Sequence, residues 1–174
     1  MSQKSEVVSI YKPIGKSMGE LVDSFRLEGG IGADIPITYA GRLDPMAEGL
    51  AILLVGDAVH HKDEYLGLSK EYTFECLWGF ETDTYDILGL VQNANLFEER
   101  EISFEETSQV AKTLVGKRTQ EYPAYSSKPV QGKPLFMWAR EGKLDTIHIP
   151  THEVEIFEIA ALSHKTISGK ELLD

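Results

Sequence analysis

At 174 residues with a single cysteine, Cys76, the chain is long enough to bury a core without covalent staples and cannot close an internal disulfide. Its 42% hydrophobic and 26% charged residues are those of a globular protein, and no apolar run approaches the roughly 20 residues that span a bilayer. The net charge of −11 argues against phosphate-driven binding over the whole surface, yet Lys112 to Lys143 holds seven basic residues and two acidic ones, so a basic face on an acidic protein stays open.

The first residues, MSQKSEVVSIYKP, lack the apolar core of a secretion signal, and a cytoplasmic location is the expectation. VVSIYKPIG reads as a short strand ended by Pro13 and Gly15. SMGELVDSFR has apolar residues at helical spacing, with Ser17 as N-cap and Glu20 completing a capping box. EGGIGADIP is a glycine-rich connector; its glycines precede neither a helix nor a Lys-Ser/Thr pair, so it is not a phosphate loop. GLAILLVG is a buried strand or a buried helical turn, between which periodicity does not choose.

KEYTFECLWGFETD alternates, with Tyr72, Phe74, Cys76 and Trp78 on one face, and predicts a strand; TDTYDILGLVQ then predicts a turn and a returning strand. SFEETSQVAKTLVG is the clearest helix, capped by Ser103 and Glu106 and stopped by Gly116. RTQEYPAYSSKPVQGKPLF predicts a strand, a proline-rich loop and re-entry, and PLFMWAREG a short helix stopped by Gly142. HEVEIFEIAALSH alternates as a strand. The pattern is an α+β domain with mainly antiparallel strands and few helices.

Within YAGRLDPMAEGLAILLVG, Pro45 holds Asp44 out of helical conformation. Residues two apart in extended chain share a face, so Arg42 and Asp44 project together while Leu43 anchors the other side. A carboxylate beside a guanidinium stays ionised, which suits a nucleophile or base and not a proton donor. The competing reading is an Asp-Pro turn with a local ion pair.

AGRLDPMAEGLAILLVGDA resembles the signature of the tRNA pseudouridine synthases of the TruB type, Gly-x-Leu-Asp-Pro-x-Ala-x-Gly before an apolar run. YKPIGKSMGELVDSFR resembles the family's Lys-Pro-x-Gly segment, KEYTFECLWGFETDTYDILGLV its Lys-x-Tyr and Gly-x-x-Thr-Asp-Thr-x-Asp-x-x-Gly motifs, and YPAYSSKPVQGKPLFMWAREG its loop and helix ending in Ala-Arg-x-Gly. The resemblance implies a pseudouridine synthase catalytic domain over residues 1–174, a bent mixed, mainly antiparallel sheet with flanking helices. It implies tRNA as partner, no membrane, no cofactor and a monomer. The implied reaction breaks the C–N glycosidic bond of a flipped-out uridine and re-forms it as a C–C bond to uracil C5. Asp44 matches the essential carboxylate, as nucleophile or as base. Tyr72 matches the motif tyrosine that stacks on the flipped uracil; its alternative is an ordinary core aromatic. Asp83 and Asp86 are expected to hold a turn by backbone hydrogen bonds.

Three departures qualify the match. Tyr39 stands where the family commonly has a histidine. Arg42 replaces a small residue and gives the Arg-Leu-Asp of a related group, in which the arginine assists base flipping; a local ion pair is the rival role. The family's Gly-Thr-Tyr-Ile-Arg strand is not found, nor is a C-terminal RNA-binding domain. The chain is therefore expected to be C-terminally short, either truncated or of a branch without that element, with an alternative life as a weakly active or inactive tRNA-binding and folding relative. Ser168 and Glu171 form a late capping-box pattern. Lys117, Arg118, Lys128, Lys133 and Arg140, interleaved with Tyr122, Tyr125 and Phe136, are candidates for phosphate contact, with proline-rich loop packing as the alternative. His60 and His61 lack ligand spacing, and no metal is expected.

Overall fold

The computed structural model describes residues 5–94, 101–168 and 171. The chain divides into two compact units, Met1–Phe74 and Glu75–Asp174.

The first unit is built on three strands, β1 (Glu6–Lys12), β2 (Ile37–Ala40) and β3 (Gly49–Val55), in the order β1-β3-β2 and antiparallel throughout. GLAILLVG is thus the central strand, β3, and the apolar run follows from its position: Leu53, Leu54 and Val55 are buried in succession. Helix α1 (Met18–Glu28) starts at Ser17, whose hydroxyl accepts from the Glu20 amide at 3.2 Å while the Glu20 carboxylate accepts from the Ser17 amide at 2.8 Å. That reciprocal pair satisfies two amides the first helical turn leaves open. Met18 and Leu21 pack with Ala51, and Ile10, Tyr39 and Leu43 close around them. A 3₁₀ turn (Gly56–His61) and a short helix α2 (Lys62–Leu66) follow β3. Strand β2 and these two turns carry no pattern that the residues alone announce.

The second unit contains the β4 (Phe80–Thr82) and β5 (Val91–Ala94) pair, helix α3 (Phe104–Thr113), and strand β6 (Gly116–Glu121), which pairs with β9 (Thr151–Ile156). Between β6 and β9 lie a two-residue hairpin, β7 (Pro129–Val130) and β8 (Lys133–Pro134), then helix α4 (Leu135–Arg140), whose Leu135 is fully buried, and a 3₁₀ turn (Leu144–Thr146). Helix α3 carries the expected capping box of Ser103 and Glu106. All ladders among the described residues are antiparallel, and they form four small sheets of three, two, two and two strands. The α+β class stands.

Three expectations are corrected. Residues 70–78 alternate but form no strand. Tyr72, Phe74, Leu77 and Trp78 are all exposed, and alternation makes a strand only where a neighbouring strand accepts the backbone hydrogen bonds. The helix α3 ends before Gly116, at a Leu114 cap; Gly116, at φ +111, starts β6. The last strand stops at Ile156, short of the alternating residues to His164. The Ser168–Glu171 box does form, with Ser168 amide and hydroxyl donating to Glu171 at 2.7 and 2.8 Å; Leu172, Leu173 and Asp174 lie outside the described residues.

Candidate active site

Asp44 opens a turn closed by a hydrogen bond from the Ala47 amide to its carbonyl at 2.9 Å. Pro45 occupies the second position, where its fixed φ suits the turn. A second bond, from the Gly15 amide to the Pro45 carbonyl at 2.7 Å, ties this turn to the end of β1. The side chain is exposed, and among the described residues no hydrogen bond or ion pair engages the carboxylate. Leu43 is half-buried against the core while Arg42 and Asp44 are exposed, the alternation expected of extended chain.

The turn is held from below by a residue to which sequence reasoning assigned no role. Lys12 is fully buried, and its ammonium donates to the carbonyls of Ala47 at 2.6 Å, Pro13 at 3.1 Å and Pro45 at 3.5 Å. Three acceptors match its three protons, so a buried cation is satisfied with main-chain oxygens alone. The signal was present: in β1, Glu6, Val8 and Ile10 alternate inward, and Lys12 continues that face. On the opposite face the Tyr11 hydroxyl donates to the Glu48 carboxylate at 2.5 Å, which pushes the Tyr11 hydroxyl above its ordinary range.

Tyr39 and Arg42 are brought together. Two guanidinium nitrogens approach the Tyr39 hydroxyl, Nη2 at 3.2 Å and Nε at 3.4 Å, and the guanidinium lies 6.0 Å from the ring centre. Gly41, at φ +90, gives the left-handed residue that folds Arg42 back over the ring. Lys62 at the start of α2 places its ammonium 5.4 Å from the same ring. Its convergence is tertiary, and nothing in the residues near Lys62 signals it. Tyr72 stands apart: it is 62% exposed and, among the described residues, makes no hydrogen bond or ring contact, with Asp44 or otherwise.

In the second unit the basic residues divide by what they already hold. Arg118 Nη2 donates to the carbonyls of Leu114 at 2.8 Å and Thr113 at 3.3 Å, capping the end of α3. Lys133 pairs with Glu141 at 2.8 Å and lies 3.6 Å over the Trp138 ring. That ion pair, with a weaker one to Lys143, draws the Glu141 carboxyl below its ordinary value. Lys117 reaches Glu155 only at 3.9 Å, with both side chains well exposed. Lys128 lies 4.7 Å over Tyr122, which stacks on His152 at 4.3 Å between centroids, and Arg140 lies 5.3 Å over Phe136. Three aromatic faces thus carry three cations, a pattern suited to phosphate and base contact.

Asp83 and Asp86 hold a turn as expected: Asp83 accepts from the Leu90 amide at 2.7 Å and Asp86 from the Leu88 amide at 2.9 Å. No group of three or more potential metal ligands occurs among the described residues, and no helix there is long and apolar enough to cross a membrane.

Residues 35–170 match the model of the TruB family pseudouridylate synthase N-terminal domain. The chain is 38% identical over 155 residues to tRNA pseudouridine synthase B of Thermosipho melanesiensis, covering 87% of this chain and 47% of that protein. It is 34% identical over 158 residues to the protein of the same name from Thermotoga maritima, covering 90% and 48%, and 32% identical over 159 residues to that of Caldicellulosiruptor saccharolyticus, covering 91% and 52%. The chain spans about half the length of the curated relatives it matches. With the Asp44 turn and the Asp83–Asp86 turn both inside the matched region, the chain belongs to the TruB family of pseudouridylate synthases.

Proposed function

We propose that this protein isomerises uridine to pseudouridine in the T-loop of tRNA in the cytoplasm, acting as a monomer, with Asp44 as the reactive carboxylate. The observation that carries this reading is an exposed carboxylate that has no hydrogen bond or ion pair among the described residues, on a turn pinned by Lys12 and Gly15. An acid without a protein partner is available to the ribose or base, and a fixed turn limits the motion lost on reaching the reacting geometry. As nucleophile or as base, Asp44 acts on a base first taken out of the stack. The C1′–N1 bond breaks, the uracil turns, C1′ bonds to C5, and the C5 proton leaves to solvent as N1 gains one.

Tyr39 supplies a ring against which a displaced base stacks, and Arg42, aligned by the Tyr39 hydroxyl, holds the vacated place in the RNA. Tyr72 stacks on the everted uracil. Its exposure leaves the ring accessible for that role. Lys117, Lys128 and Arg140 are proposed to meet phosphates. Arg118 and Lys133 act in that surface chiefly by shaping it, since their donors serve Leu114, Thr113 and Glu141.

Incubation with tRNA carrying tritium at uridine C5 tests the proposal. Tritium release by the wild-type protein and its loss in Asp44→Asn support the enzyme. Tight tRNA binding without release assigns the chain to a weakly active or inactive RNA-binding role.

A further inference from the structure

Within the first unit, the Tyr39 hydroxyl is left able only to donate. Arg42 Nη2 and Nε approach its oxygen at 3.2 and 3.4 Å, and both are donors, so they take the acceptor side of that oxygen. The hydroxyl hydrogen must be given elsewhere, and among the described residues nothing accepts it. Lys62 reaches the same ring from another element. Helix α2 packs on β2, and its first residue sets an ammonium 5.4 Å from the Tyr39 ring centre, against 6.0 Å for the Arg42 guanidinium. Lys62 is half-buried, and among the described residues no hydrogen bond or ion pair engages its ammonium. A cation drawn partly out of water with only a ring for company lacks the anion that would compensate it.

The carboxylates close to Lys62 in the chain do not supply it. Glu64 is turned to His61 Nδ1 at 2.8 Å. Asp63 follows Lys62 directly on the helix, and adjacent helical residues do not face each other. The positions that do, three and four residues on, are the uncharged Tyr65 and Leu66. Beside the Asp44 turn, Glu48 is taken by the Tyr11 hydroxyl. A phenolic donor, a guanidinium and an ammonium around one ring suit an oxygen anion, and phosphate offers both the charge and several acceptors. The whole-chain charge of −11 does not decide the matter, because exposed charges beyond about 8 Å are largely screened at physiological salt.

We infer that the Tyr39 hydroxyl and the Lys62 ammonium, beside Arg42, form a site for a backbone phosphate of the RNA next to the nucleotide presented to Asp44. The inference rests on the RNA-modifying reading and adds to it two donors which that reading leaves without a task. Arg42 and Asp44 share a face of the chain, so a phosphate held at this ring adjoins the reactive carboxylate. A ring face is a weaker partner for an ammonium than a phosphate oxygen, so Lys62 leaves the ring as the phosphate arrives, and the ring is then open to the displaced base. Lys62 contributes through its charge and released counterions, the Tyr39 hydroxyl through a neutral hydrogen bond, and the two differ in salt dependence.

The test measures the affinity of the full chain for an unmodified tRNA transcript over a salt series, with tritium release alongside. Lys62→Gln is expected to weaken binding about three- to tenfold and to reduce the slope of log affinity against log salt by about one, while Lys62→Arg keeps both. Tyr39→Phe keeps the ring and loses the hydroxyl hydrogen, so affinity falls about two- to tenfold with the slope unchanged. Thermal midpoints of the three variants should match the wild type, which separates a lost contact from a lost fold. If the wild type binds tRNA and Lys62→Gln leaves affinity and slope unchanged, Lys62 only packs on the ring, and the inference is overturned while the enzymatic reading stands. An unchanged affinity in Tyr39→Phe removes the hydroxyl from the site. If inorganic phosphate alone saturates a Lys62-dependent site while tRNA affinity ignores the substitution, the site takes a free anion and the RNA assignment is wrong. If the wild type neither binds nor modifies tRNA, both readings fall.

Discussion

The Lys12 ammonium lies 2.6 Å from the carbonyl oxygen of Ala47, so the turn that begins at Asp44 is anchored to the inner face of β1. The anchor is a cation that itself stays clear of the carboxylate it positions. Breaking it with Lys12→Met removes the desolvation cost of a buried charge but leaves the carbonyls of Ala47, Pro13 and Pro45 without their donor. These effects oppose each other, and the net stability change is expected to stay within about 2 kcal/mol. The turn itself loosens: hydrogen exchange at the Gly15 and Ala47 amides speeds up, and tritium release falls about tenfold or more. Unchanged protection at both amides would remove Lys12 from this role.

Asp44 is exposed and unengaged among the described residues, so its removal is expected to be nearly silent in folding. Asp44→Asn should alter stability by no more than about 0.5 kcal/mol while abolishing tritium release. A urea titration of both proteins checks the first part. A large loss of stability would mean that the carboxylate is structural and that the missing activity says nothing about chemistry.

The capping box at Ser17 and Glu20 makes stability depend on acid. The hydrogen bonds from the Ser17 amide and then its hydroxyl hold the Glu20 carboxyl below its ordinary value of 4.5. A carboxyl depressed in the folded state stabilises it above the unfolded value and loses that contribution as pH falls through the folded one. Urea midpoints should therefore hold from neutral pH to about 4.5 and decline below it. Glu141, lowered by Lys133 and then Lys143, acts in the same direction. Ser17→Ala, which keeps the amide donor, should cost about 1 kcal/mol at neutral pH, while Glu20→Gln, which removes the titrating group, should flatten the acid decline. An acid decline identical in Glu20→Gln would show that other carboxyls control it.

Arg118 and Lys128 should separate in two measurements. Arg118→Ala strips the donor from the Thr113 and Leu114 carbonyls and is expected to cost about 1–2 kcal/mol of stability. Lys128→Ala gives up a cation over the Tyr122 ring and should leave stability within about 1 kcal/mol. In RNA binding the order reverses: Lys128→Ala lowers the salt slope by about one, and Arg118→Ala leaves it unchanged. Equal slopes for the two variants would reject this division of labour.

Much of the framework is local and therefore legible in the chain. Ser17 with Glu20, and Ser103 with Glu106, are three residues apart, and a helix start needs no distant partner to bring them together. The Asp-Pro turn and the Asp83–Asp86 turn are likewise decided by neighbours, because proline's fixed φ and short carboxylates act on their own backbone. The family resemblance rested on these same segments, which is why it held. What residues 70–78 do was decided elsewhere: their alternation is real, but a strand exists only when another chain segment takes its hydrogen bonds. Tertiary structure alone turned Lys12 inward onto the Asp44 turn and drew Lys62 to Tyr39. Each of these is a long side chain whose partner is chosen by packing in three dimensions, and sequence spacing carries no record of that choice.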